Sequence, residues 1–167
     1  VEQKRSARIF VRALAFILST TVPTILSAQD HGAQDQGGHH KHHAGLFLGA
    51  TRAEGHSSFT VGADYERRLP VAHKRLGVGA LIDAAIGDEP KHVIVAATLS
   101  LRPVEPLKLL AGPGVQFSHG HRDPLFRVGA AVDLPSIRSL TISPGVSVDF
   151  VGGHRAMVFG VTLGKGF

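Results

Sequence analysis

The chain has 167 residues, enough for one domain and a targeting segment. It has no cysteine, which excludes disulfides and thiolate metal sites, while 20 glycines and no tryptophan are unusual for a compact soluble domain. The net charge of +5 divides into +3 from residues 1–28 and +2 from the remainder, where basic residues are scattered among acids and form no stripe for a nucleic acid.

Residues 1–28 have the layout of a secretory signal peptide. Lys4, Arg5 and Arg8 form a basic start, Ile9 to Leu26 is mostly apolar, and Ser27-Ala28 offers small residues for cleavage. A retained membrane anchor is the alternative, but Arg12 and Pro23 shorten the apolar run well below the roughly 20 residues of a spanning helix. Residues 29–43 follow, rich in Gln, Asp, Gly and His, and a segment so poor in apolar residues is expected to stay disordered. This tail contains His31 and the run His39-His40-Lys41-His42-His43. Such a run can bind Zn²⁺, Cu²⁺ or Ni²⁺ through neutral imidazole, or serve as a soluble spacer.

From Ala44 to Phe167 the chain divides into segments of about ten residues separated by turn signals. Strands are expected at 44–52, 57–68, 75–86, 92–102, 107–118, 125–134, 139–150 and 155–167. In the second, Phe59, Val61, Ala63 and Tyr65 alternate with Thr60, Gly62, Asp64 and Glu66. The third sets Leu76, Val78, Ala80 and Ile82 against Gly77, Gly79, Leu81 and Asp83. The sixth sets Phe126, Val128, Ala130 and Val132 against Arg127, Gly129, Ala131 and Asp133; the seventh sets Leu140, Ile142, Val146 and Val148 against Thr141, Ser143, Gly145, Ser147 and Asp149. This period of two makes one face aliphatic and the other small, hydroxylic or charged. Pro113 and Pro144 fall within strands beside glycine, and bulges are expected at both.

The last segment, Ala156 to Phe167, puts Met157, Phe159, Val161, Leu163 and Phe167 on one parity, with Lys165 as the exception. It resembles the closing strand of a bacterial outer-membrane β-barrel, in which a terminal aromatic serves as the assembly signal. The resemblance to the OmpA/OmpX-type barrels covers residues 44–167. It implies an all-β, eight-stranded, antiparallel up-and-down transmembrane barrel, recognised through Phe167 by the barrel-assembly machinery.

A soluble barrel would turn the aliphatic face inward and leave an outer wall of Gly, Ala, Thr and Ser with too few charges for solubility. A lipid-embedded barrel reverses the assignment, and small residues suit the narrow lumen of eight strands. Asp64, Glu66, Asp83, Lys108, Arg127, Asp133 and Asp149 are then expected to pair inside as a plug, since buried charges persist only when paired. Phe59, Phe117, Phe126 and Phe150 are expected at the outer rim, with Tyr65 and Phe167 at the periplasmic rim.

Few motifs carry chemistry. Lipid A deacylases of this barrel class use a His-x-Ser pair with an acid; the nearest match is His56-Ser57-Ser58 with Glu54, without the Asn-Ala-Gly continuation and on the lumen parity. Gly77-x-Gly79 and Gly112-x-Gly114 precede no helix and are not nucleotide loops. No enzyme activity is expected. The remaining histidines are His56, His73, His92, His119, His121 and His154, and all but His73 lie in or beside the outward connections. With Glu54, Asp88, Glu89 and Asp123 they are the candidate ligands of a Zn²⁺, Cu²⁺ or Ni²⁺ site at the barrel mouth, or else ordinary polar loop residues. The expectation is therefore a monomeric structural or interaction barrel in the outer membrane of a Gram-negative bacterium, without an open pore. Outer-membrane lipid is its surrounding partner, and no cofactor is expected beyond those metals.

Overall fold

The computed structural model describes residues 41–71, 75–87, 92–118, 120–135 and 140–167. The signal-like segment, His31, His39, His40, His73, Asp88, Glu89 and His119 lie outside them. The described residues form eight strands: β1 (His42–Ala53), β2 (His56–Arg68), β3 (Leu76–Ile86), β4 (His92–Leu101), β5 (Leu107–Ser118), β6 (His121–Val132), β7 (Leu140–Val151) and β8 (His154–Gly166). Every strand pairs antiparallel with its sequence neighbour, and β1 pairs with β8 from His43↔Gly166 to Ala53↔Ala156. The sheet is thus a closed barrel. Closure removes the edges that an open sheet of this length would expose.

Alternation decides which residues face in. Leu46, Leu48, Phe59, Tyr65, Val78, Val95, Leu99, Leu109, Phe126, Val128, Val146, Phe159 and Leu163 are exposed on the outer wall. The opposite parity supplies Thr60, Glu66, Asp83, Ser100, Lys108, Arg127, Ser143 and Asp149, all buried. The inside is therefore the polar side, the reverse of a water-soluble barrel.

Two tight turns, between β1 and β2 and between β7 and β8, mark one end of the barrel, here called the hairpin end. Between β1 and β2, Glu54 and Gly55 both have positive φ, at 50° and 86°, as do Gly152 and Gly153 between β7 and β8, at 54° and 89°. Two such residues match the twist of the flanking strands, which is why glycine recurs there. The other end, where β1 begins and β8 finishes, is the terminal end.

Three features differ from the sequence expectation. β1 begins at His42, so His42 and His43 belong to the wall and not to the tail. Their backbones close the barrel, with His42 and Phe167 exchanging N–H to O=C bonds of 3.0 and 2.9 Å. β6 begins at His121 and not at residue 125, because its pairing with β5 continues to Ser118↔His121 above the point where β7 stops. Pro124 lies in that extension, where β6 has no β7 neighbour and a missing N–H is tolerated as at an edge.

Neither Pro113 nor Pro144 introduces a bulge. Beside Pro113 the β4–β5 ladder lacks its Ala97 and Thr98 pairs, yet Ala96↔Gly114 and Leu99↔Ala111 keep one register. Pro144 pairs with Val161 in β8 and lies just past the end of the β6–β7 ladder at Ala131↔Gly145. An inserted residue would have exchanged the two faces beyond it. Instead Leu109 and Phe117 point outward on both sides of Pro113, and Ile142 and Val146 on both sides of Pro144.

Candidate functional site

The chemistry of the described chain is concentrated in the lumen and at the two rims. Parity places Arg127 of β6 inward beside its cross-strand partner Asp149 of β7. Its Nε donates to Asp149 Oδ1 at 2.6 Å and its Nη2 to Oδ2 at 2.8 Å, a two-pronged pairing suited to a planar guanidinium. The remaining nitrogen, Nη1, donates to Asp83 Oδ2 on β3, across the barrel. Arg127 is 4% exposed and Asp149 0%, so the triad spans the lumen out of contact with bulk water.

A second crossing lies nearer the terminal end. Arg102, one residue past β4, donates to both oxygens of Glu66, Nη1 to Oε1 at 2.6 Å and Nη2 to Oε2 at 3.3 Å. Its Nε reaches Asp133 Oδ2 at 3.4 Å, while Ser143 Oγ donates to Asp133 Oδ1 at 2.7 Å. Lys108 Nζ adds a weaker contact to Glu66 at 4.0 Å. Arg102 was absent from the sequence-derived plug; it continues the inward parity of Ser100, the signal that identifies it.

Between the crossings lies a cavity of about 100 Å³, lined by Phe47, Asp64, Ser100, Lys108 and Thr162 among others. Asp64 has His43 Nδ1 at 3.9 Å, too long for a hydrogen bond. His43 Nδ1 and Ser100 Oγ are buried without a hydrogen-bond partner among the described residues. Towards the hairpin end Ile94, Ala96 and Leu125 form a small apolar cluster with Leu81 and Val151. At the β1–β8 seam Phe47 turns inward over two glycines: a Cβ on Gly49 or Gly160 would lie 2.6 or 2.7 Å from its Cζ.

The rims are built differently. At the hairpin end Phe59, Phe117, Phe126 and Phe150 are exposed on the outer wall, and the Arg122 and Arg155 guanidiniums lie 5.7 and 5.6 Å from the Phe117 and Phe150 ring centroids. At the terminal end His42 Nδ1 lies 2.6 Å from Tyr65 Oη, and its ring stacks on Phe167 with centroids 5.7 Å apart.

The described histidines of the proposed mouth site, His56, His92, His121 and His154, are distributed round the hairpin end. His154 Nδ1 meets Glu54 Oε1 at 2.6 Å across the β8–β1 neighbours, with both side chains well exposed. His92 is buried opposite Ser118, which in turn pairs with His121. His56 and His121 are exposed. Among the described residues no three His, Asp or Glu side chains form a group able to hold a metal. His42 and His43 belong to the opposite end, on opposite faces of β1. Of the deacylase-like trio, Ser58 is buried on the lumen side and His56 is exposed beside the turn, with no hydrogen bond between them.

No protein-family model matches the chain, and no curated protein matches it in sequence. Solved structures do match its fold. Neisserial surface protein A (NspA) superposes with a TM-score of 0.55 at 11% identity, over 75% of this chain and 96% of that one. Ail, the attachment invasion locus protein of Yersinia pestis, gives a TM-score of 0.51 at 15% identity over 75% and 96%. The backbone structure of outer membrane protein Ail in a phospholipid bilayer nanodisc gives 0.50 at 12% identity over 75% and 99%. The chain therefore has the fold of the small eight-stranded outer-membrane barrels.

Proposed function

We propose that this chain is a small outer-membrane barrel of a Gram-negative bacterium with a structural or interaction role and no open pore. The observation that carries this reading is the pair of arginines bridging the lumen: Arg127 joins β6 and β7 to β3, and Arg102 joins the β4 end to β2 and the β6 end. Paired guanidiniums crossing the lumen at two levels obstruct the continuous aqueous path that a pore would need. The apolar outer wall, framed by aromatics at both rims, suits hydrocarbon between two headgroup layers. Strands of 10 to 13 residues are long enough for the roughly 9–11 that a tilted transmembrane strand needs. In this reading the terminal end faces the periplasm and the hairpin end faces outside.

Cells expressing the full 167-residue chain provide the test. The protein is expected to sediment with outer membranes and to migrate differently on SDS gels before and after boiling. Recovery in a detergent-free periplasmic extract would refute the reading.

A further inference from the structure

The two arginine crossings leave three polar head groups of the lumen without hydrogen bonds. Lys108 reaches in from β5 and is buried, yet among the described residues its Nζ makes only the 4.0 Å contact to Glu66 Oε2. Asp64, two residues from Glu66 on the inward face of β2, has only His43 Nδ1 at 3.9 Å. Both distances are too long for hydrogen bonds. Ser100 of β4 is 3% exposed, and its Oγ has no partner among the described residues.

These groups are neighbours. A Cβ on Gly77 of β3 would lie 2.6 Å from Ser100 Oγ and 2.8 Å from Glu66 Oε1, so those two oxygens flank one point. Lys108 Nζ approaches the other oxygen of the same carboxylate. Lys108, Asp64 and Ser100 all line the cavity of about 100 Å³ between the crossings. Glu66 does not satisfy Lys108, because Arg102 already donates to both of its oxygens. A buried ammonium and a carboxylate left without hydrogen bonds are strongly unfavourable, so something must complete them. Lys108 and Arg127 in the wall disfavour a metal cation, and Asp64, Glu66 and Asp83 disfavour an anion. Water donates and accepts at once and suits a wall of both signs. The volume is room for about three waters, and polar cavities of that size are hydrated where apolar ones stay dry.

We propose that ordered waters in this cavity bridge the Lys108 ammonium to the Asp64 carboxylate and the Ser100 hydroxyl, a water-mediated third crossing of the lumen. It ties β5 to β2 and β4 and gives Asp64 the cation that neither arginine supplies. Flanked by the two direct crossings, these waters should exchange with bulk solvent more slowly than surface hydration does.

The test joins two measurements on the full refolded chain, with heat-dependent gel migration as the check on folding. Oxygen-17 relaxation dispersion in detergent micelles detects waters held longer than surface hydration. Wild type should show them, and Lys108→Met/Asp64→Leu, which makes that part of the wall apolar, should lose most of the signal. Arg122→Gln/Arg155→Gln on the exposed rim should keep it. Urea unfolding in vesicles supplies a double-mutant cycle for Lys108→Met and Asp64→Leu. Their effects should depart from additivity by more than about twofold in the unfolding constant. Should the double variant not refold, Lys108→Met alone, which keeps the length of the side chain, should still reduce the water signal. Additive effects, or a long-lived water signal absent from wild type or unchanged in the folded variants, would overturn the proposal. Coupling without long-lived water would mean that Lys108 bonds Asp64 directly, and would overturn the water bridge.

Discussion

Arg127 and Val128 are neighbours in β6 and belong to different regimes. Arg127 is tied to named partners on β3 and β7, and its loss would leave Asp83 and Asp149 buried without their cation. Val128 is exposed on the outer wall between Ala111 and Val148, with no partner that another aliphatic residue could not replace. The lumen is thus specified atom by atom, whereas the outer wall is specified by class. One barrel combines a tightly prescribed interior with a permissive exterior because alternation places successive side chains in different media.

The largest expected effect tests that contrast directly. Arg127→Ala should destabilise the barrel by about 3–5 kcal/mol, the usual consequence of stripping one partner from a buried ion pair. Val128→Ala should cost at most about 1.5 kcal/mol, the value of the methylenes removed. Urea unfolding in lipid vesicles, followed by the loss of heat-dependent gel migration, measures both; equal losses would erase the distinction between the faces.

A smaller effect sharpens it within the lumen. Arg102→Met and Glu66→Met each leave the other's buried charge without its main partner, but together they remove both members of that pair, with Asp133 still bonded to Ser143. The double variant should recover about 1–3 kcal/mol relative to the sum of the singles. Additive losses in the same unfolding assay would show that the pair acts independently.

The smallest expected effect is at the rim. His154→Ala removes the Glu54 contact, but both side chains are exposed and such a pair is worth no more than about 1 kcal/mol. A loss comparable to that of Arg127→Ala would mean that the hairpin-end surface is as closely specified as the lumen.

The contrast also explains what was legible in the sequence. Period-two alternation identified eight strands and their inward faces, because each residue's medium repeats locally. The inward charges Glu66, Asp83, Arg127, Asp133 and Asp149 followed from parity alone. Their partners did not: Arg127 and Asp83 are 44 residues apart, and only closure of the sheet brings them together. Arg102 was missed although it falls within the expected strand 92–102 and continues the inward row of Ser100. The expected bulges overlooked a signal already present, since outward residues keep one parity across Pro113 and Pro144. His42 and His43 looked like tail because they adjoin polar residues; their alternating exposure continues the pattern of Ala44 to Leu48. Convergence of the mouth histidines depended on loop geometry, on which a strand pattern is silent.

On the proposed reading the paired lumen closes this barrel to ions, and planar-bilayer recording of the refolded full chain tests this. Wild type should give a silent trace at applied voltage, with no discrete steps above the bare membrane. Stable, stepwise single-channel currents from the wild-type protein would contradict it, because they would require an aqueous path past Arg102 and Arg127.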